Sequence, residues 1–137
     1  MRLGEFLDEE KGDRFCCGDG CGYGSRIEHW GGAYSLVADM QRAIRLRVNS
    51  PVYVLSGARC PRHNAKVAKS NRSQHAIAQA LDLVCPAGMN IDQFYALCCE
   101  IVGKMTSKRG GCGRYVEDRF VHIDTGLNEA PNRRWDW

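Results

Sequence analysis

A chain of 137 residues, 44% apolar and 26% charged, is long enough for one hydrophobic core and too short for two well-buried ones, so it reads as one domain over residues 1–137 and not as a disordered tract. A net charge of +3 falls short of the dense Lys/Arg face of a nucleic-acid binder, and no apolar run is long enough to span a bilayer or form a signal-peptide core, so synthesis in the cytoplasm and no membrane partner are expected. The eight cysteines include two adjacent pairs, Cys16-Cys17 and Cys98-Cys99, which could bridge each other only with strain; thiols packed as small apolar residues or bound to metal are expected rather than a disulfide scaffold.

In chain order, residues 1–27 form an irregular lead-in rich in Gly, Asp and Cys. Ala33, Leu36, Val37, Met40, Ala43, Ile44 and Val48 then recur at three- and four-residue steps, the apolar face of a helix that Ser50-Pro51 stops. Val52 to Leu55 reads as a short buried strand, and Pro61 opens a short helix over Arg62 to Lys69. Ala80 to Cys85 is a strand ended by Pro86 and Gly88. Asn90 and Gln93 resemble a capping box, ahead of a second long helix that carries Ile91, Phe94, Tyr95, Leu97, Cys98, Ile101 and Val102 on one face. After Gly110-Gly111, Cys112 to Val116 and Phe120 to Ile123 read as a hairpin joined by Glu117-Asp118-Arg119. The tail beyond Gly126 has no period, and Trp135 and Trp137 are the residues expected to pin it. The pattern predicts an α+β domain: a small antiparallel sheet packed by two longer helices, with a cleft open on the sheet face.

Asp82 interrupts an apolar strand, and an acid there needs a cation or hydrogen-bond donors to meet it. His75 lies upstream across a loop-to-strand boundary, and His122 sits between apolar neighbours in the last predicted strand. Two imidazoles and a carboxylate are the ligand set of an open catalytic zinc site, with one position left for water or substrate. Taken singly, each has a plainer explanation: a surface loop histidine, a hydrogen-bonded core histidine, a carboxylate capped by backbone donors. Asp124, two residues after His122, projects from the same strand face and offers either a general base or an acid that orients the histidine.

Three ordered pieces carry a resemblance. Ser73-Gln74-His75-Ala76-Ile77-Ala78-Gln79-Ala80-Leu81-Asp82 follows the pattern S-x-H-x-x-G-x-A-x-D, with Ala78 in place of glycine. Ser56-Gly57-Ala58-Arg59-Cys60-Pro61 with His63-Asn64 is the second, and Gly113-Arg114-Tyr115 leading to Phe120-Val121-His122-Ile123-Asp124-Thr125-Gly126 is the third. On these pieces, Val52 to Gly126 resembles the zinc D-Ala-D-Ala carboxypeptidases and phage endolysin peptidases, which share a fold with lysostaphin and the hedgehog signalling domain. The resemblance implies a zinc peptidase domain with its motifs in residues 52–126, one zinc ion on His75, Asp82 and His122, and Arg59 and Ser73 contacting substrate or the polarised carbonyl. It implies peptidoglycan peptide as substrate, cleaved by a D,D-carboxypeptidase or an endopeptidase, in a monomeric phage or prophage product acting at the bacterial wall. Many relatives carry a glutamate or histidine just before the last zinc histidine, where this chain has Arg119 and Phe120, which leaves Asp124 as the candidate base and Glu117 and Asp118 as alternatives.

Three other readings stay open. A zinc-fold binding or phage structural module without turnover would retain the ligands. The basic residues Lys66, Lys69 and Arg72 could instead serve nucleic acid, which would make binding steeply salt-dependent. Cys16, Cys17 and Cys21, with Cys60 as a fourth thiol, could hold a second, structural zinc, although their spacing is not a clean pair of C-x-x-C units.

Overall fold

The structure of the protein, a computed structural model, describes residues 32–56, 79–127 and 129–136. The lead-in, the short helix expected over 62–69 and the segment 57–78 lie outside them.

Helix α1 (Gly32–Val48) forms where the apolar spacing places it. Val37, Met40 and Ile44 are fully buried, with Leu36, Ala43 and Val48 packed beside them. Gln41 shares that buried face, and its side-chain amide donates to the Val52 carbonyl at 2.9 Å, tying the helix to the chain entering the sheet. The helix stops at Asn49, whose left-handed φ of 54° suits asparagine and whose N–H reaches the Arg45 carbonyl at 3.0 Å. Helix α2 (Ile91–Met105) is capped by Asn90, whose side chain accepts the Asp92 N–H at 2.7 Å.

Among the described residues, five strands form one sheet: β1 (Val54–Ser56), β2 (Ala80–Val84), β3 (Cys112–Tyr115), β4 (Phe120–Asp124) and β5 (Arg134–Asp136), in the order β1-β2-β4-β3-β5. The expected β3–β4 hairpin is present, and the first four strands pair antiparallel. The tail, in which no strand was expected, forms one: β5 adds to the free edge of β3 in parallel, so the sheet is mixed; Trp135 lies in it and Trp137 outside the described residues. A three-residue strand has too few residues to show a period, and pairing with β3, together with the Arg114–Asp136 ion pair, sets its register.

Strand alternation divides the sheet. Leu81, Leu83, Cys112, Val121 and Ile123 turn toward the helices and, with Phe94, Cys98, Ile101 and Val102 of α2, make the core. Asp82, His122, Asp124, Gly113 and Tyr115 occupy the opposite face. Cys85, Cys98 and Cys112 are buried and Cys99 is partly so, and all four are free thiols, in keeping with their expected use as small core residues. Phe94, the largest fully buried side chain among the described residues, anchors α2 on the sheet. Phe94→Ala is expected to cost about 3–5 kcal/mol, read as a lower urea midpoint at unchanged slope.

Candidate active site

Asp82 faces away from the helices because its neighbours Leu81 and Leu83 face toward them, and its partner across the ladder is His122. The same register row continues through every strand: Ser56 of β1, Asp82 of β2, His122 of β4, Gly113 of β3 and Trp135 of β5. All three sequence pieces therefore meet on one row. The second begins at Ser56, the first ends at Asp82, and the third contributes Gly113 and His122.

His122 lies between two carboxylates. Its Nδ1 is 3.0 Å from Asp82 Oδ1 and its Nε2 is 2.7 Å from Asp124 Oδ2. Asp82 and His122 are each 8% exposed, and Asp124 is fully buried. The other oxygen of Asp124, Oδ1, accepts from the Gly111 and Gly126 N–H groups, both at 2.9 Å, and from Arg133 Nη2 at 2.5 Å. Gly126 holds φ +74°, and a side chain there would run into the Arg109 carbonyl. Beside it, Thr125 donates through its hydroxyl and its N–H to Gln79. The Asp124-Thr125-Gly126 run is thus a clasp that closes the end of β4 around the Asp124 carboxylate.

Electrostatics follow from this packing. Burial opposes charge on His122, but hydrogen bonds and charge from Asp124 and Asp82 outweigh it, and the metal-free imidazole titrates at about 9. Burial likewise opposes charge on Asp124, yet His122 and then Arg133 hold its carboxyl down at about 2. The two carboxylates therefore favour positive charge on the imidazole between them. One oxygen donor and one nitrogen donor, close enough for a single ion to touch both, with the far nitrogen held by a carboxylate, fit two positions of an open zinc site. Asp124 sits on the opposite side of the ring from Asp82. Among the described residues no set of three His, Cys, Asp or Glu side chains surrounds a common metal position, and His75, the expected third ligand, lies outside them.

Arg59, Ser73, Ala78, His63, Asn64, the basic residues Lys66, Lys69 and Arg72, and the thiols Cys16, Cys17, Cys21 and Cys60 also lie outside the described residues. Glu117 and Asp118 are exposed in the β3–β4 turn. Just before His122, Arg119 directs its guanidinium to the Met89 carbonyl at 2.9 Å, and Phe120 stacks on Tyr115 with ring centres 4.3 Å apart.

Sequence reasoning overlooked Gly111 and the placement of Arg133 and Trp135 against the site. Arg133 and Trp135 are two residues apart, the spacing of one strand face, but a two-residue alternation is no signal on its own.

No curated protein and no solved structure matches this chain. Residues 20–124 match the family described as Peptidase M15, a span that takes in all of the second and first pieces and the third as far as Asp124. The chain therefore belongs to the Peptidase M15 family, the metallopeptidases of zinc D-Ala-D-Ala carboxypeptidase type.

Proposed function

We propose that this chain is a zinc metallopeptidase that hydrolyses peptide bonds of peptidoglycan, as a D,D-carboxypeptidase or as an endopeptidase of the cross-link, with the metal on His75, Asp82 and His122. The observation that carries the reading is the register row that sets Asp82 against His122 while Asp124 occupies the far ring nitrogen. Bound zinc would supply a Lewis acid for the scissile carbonyl and a water made acidic enough to attack it.

The protein's own residues have separate tasks in this reading. Asp82 brings a negative charge that favours a cation in a buried site. Asp124 keeps a proton on Nε2 of His122, so the proton that zinc would displace is the one on Nδ1, the nitrogen beside Asp82. With both oxygens engaged and no exposure, Asp124 suits orientation of His122 better than the role of catalytic base. Arg59 contributes a planar fork of donors for a substrate carboxylate or carbonyl, and Ser73 lines the same site. A phage or prophage origin, with action at the bacterial wall by a monomer, belongs to the same proposal.

Metal content of the purified protein and of His75→Ala, with mass spectrometry of peptidoglycan fragments digested by both, tests the proposal. About one zinc per chain, lost with cleavage in His75→Ala, is the expected result, and the bond cut names the subclass. A wild type without metal would sink the metal site. Metal without cleavage of any wall fragment would favour a binding module, a reading that has support in Arg119 and Phe120 standing where relatives carry an acid or histidine.

A further inference from the structure

The register row ends on Trp135, a residue beyond the matched family span. Its ladder partner, Gly113, has no side chain, and the indole fills the space left over that backbone: a Cβ built on Gly113 would come within 2.3 Å of the indole Nε1 and Cε2. Lying across β3, the indole reaches β4 and packs on the His122 imidazole, with ring centres 5.1 Å apart and planes tilted by 47°. Two contacts hold it there. Its Nε1–H donates to the Tyr115 hydroxyl at 3.0 Å, and the Arg133 guanidinium lies 5.6 Å from the ring centre. Arg133 in turn donates to Asp124, which holds the other edge of the same imidazole.

We propose that Trp135 is a positioning residue of the metal site: the C-terminal strand lays its indole over Gly113 and against His122, fixing the imidazole in the orientation that presents Nδ1 beside Asp82. This rests on the zinc reading given above. An imidazole has two rotatable bonds, and the contacts at Nε2 and Nδ1 restrain its edges but leave the ring free to tilt between them. Apolar packing from Trp135 removes this remaining freedom and excludes water from one side of the ring. Partners that orient a ligand histidine in this way act on metal affinity, typically by ten- to a hundredfold.

The glycine of the Gly113-Arg114-Tyr115 piece then has a physical role. It is the gap through which β5 reaches β4, and Tyr115, on the same face two residues on, supplies the acceptor that fixes the indole.

The test is zinc affinity by competition with a chromogenic chelator, together with the visible spectrum of the cobalt-loaded protein. Wild type, Trp135→Ala, Trp135→Phe and Gly113→Ala would be compared. Trp135→Ala removes the indole, whereas Gly113→Ala keeps it and displaces it from His122 by steric exclusion. Both are expected to weaken zinc about tenfold or more and to shift the cobalt bands, with Trp135→Phe recovering part of the loss. Zinc affinity within twofold of wild type in folded Trp135→Ala and Gly113→Ala would overturn the proposal, even if both melt at lower temperature, because that pattern is structural support alone. If Trp135→Ala does not fold, Gly113→Ala decides by the same criterion. A wild type that binds no zinc would overturn the metal reading itself, and this proposal with it, and is recognised before any variant is made.

Discussion

Asp82→Ala is expected to abolish zinc binding and peptide cleavage while leaving a folded protein. The side chain lies on the open face of β2 and not among Leu81, Leu83 and the helices, so its loss removes no core volume. Its loss also leaves His122 with a carboxylate partner, because Asp124 holds the other ring nitrogen at 2.7 Å. Metal stabilisation of developing charge contributes several kcal/mol. Its loss corresponds to a fall in turnover of roughly a thousandfold or more. Asp82→Asn separates charge from shape, since the amide occupies the same volume but brings no negative charge. Zinc retained at wild-type stoichiometry and affinity in Asp82→Ala would remove Asp82 from the ligand set.

Asp124→Ala is expected to act on stability and on the metal together. Its carboxylate is fully buried and accepts from His122, Gly111, Gly126 and Arg133, so truncation removes the acceptor of two backbone N–H groups and of the Arg133 guanidinium and leaves His122 with Asp82 alone of the two carboxylates. Breaking a buried charge pair from one side costs about 3–5 kcal/mol. That is a large part of the roughly 5–15 kcal/mol that holds a domain of this size together. The experiment is a urea titration of the metal-free protein beside wild type. Asp124→Asn, which keeps one acceptor oxygen, should lose less.

The same variants distinguish the two roles open to Asp124. If it orients His122, zinc affinity falls about ten- to a hundredfold and turnover recovers in part at saturating zinc. If it is the base, affinity is retained and turnover at full zinc loading falls by about 10²–10⁴-fold.

Much of the fold was legible because its signals are local. The three- and four-residue spacing in α1 and α2 and the Asn90 cap each express a preference that neighbouring residues satisfy among themselves. Asp82 was legible for the opposite reason: an acid in an apolar strand conflicts with its local context, and such conflicts mark places where something distant must compensate. The spacing of His122 and Asp124 likewise placed both on one strand face before any pairing was known.

Local pattern was enough for the two long helices and the hairpin strands, for the family, and for the residues that stand out chemically. How they combine depends on contacts between segments far apart in the chain. Strand register, a long-range property, placed Asp82 opposite His122 across 40 residues of chain. Burial and four hydrogen bonds around Asp124 gave a residue with two open roles the environment of an orienting group. The tail became a strand because β3 had an unpaired edge to accept it and Gly113 left room for Trp135 to cross. None of these outcomes is carried by a local period, since backbone pairing and side-chain gaps acquire meaning only when distant segments are brought alongside one another.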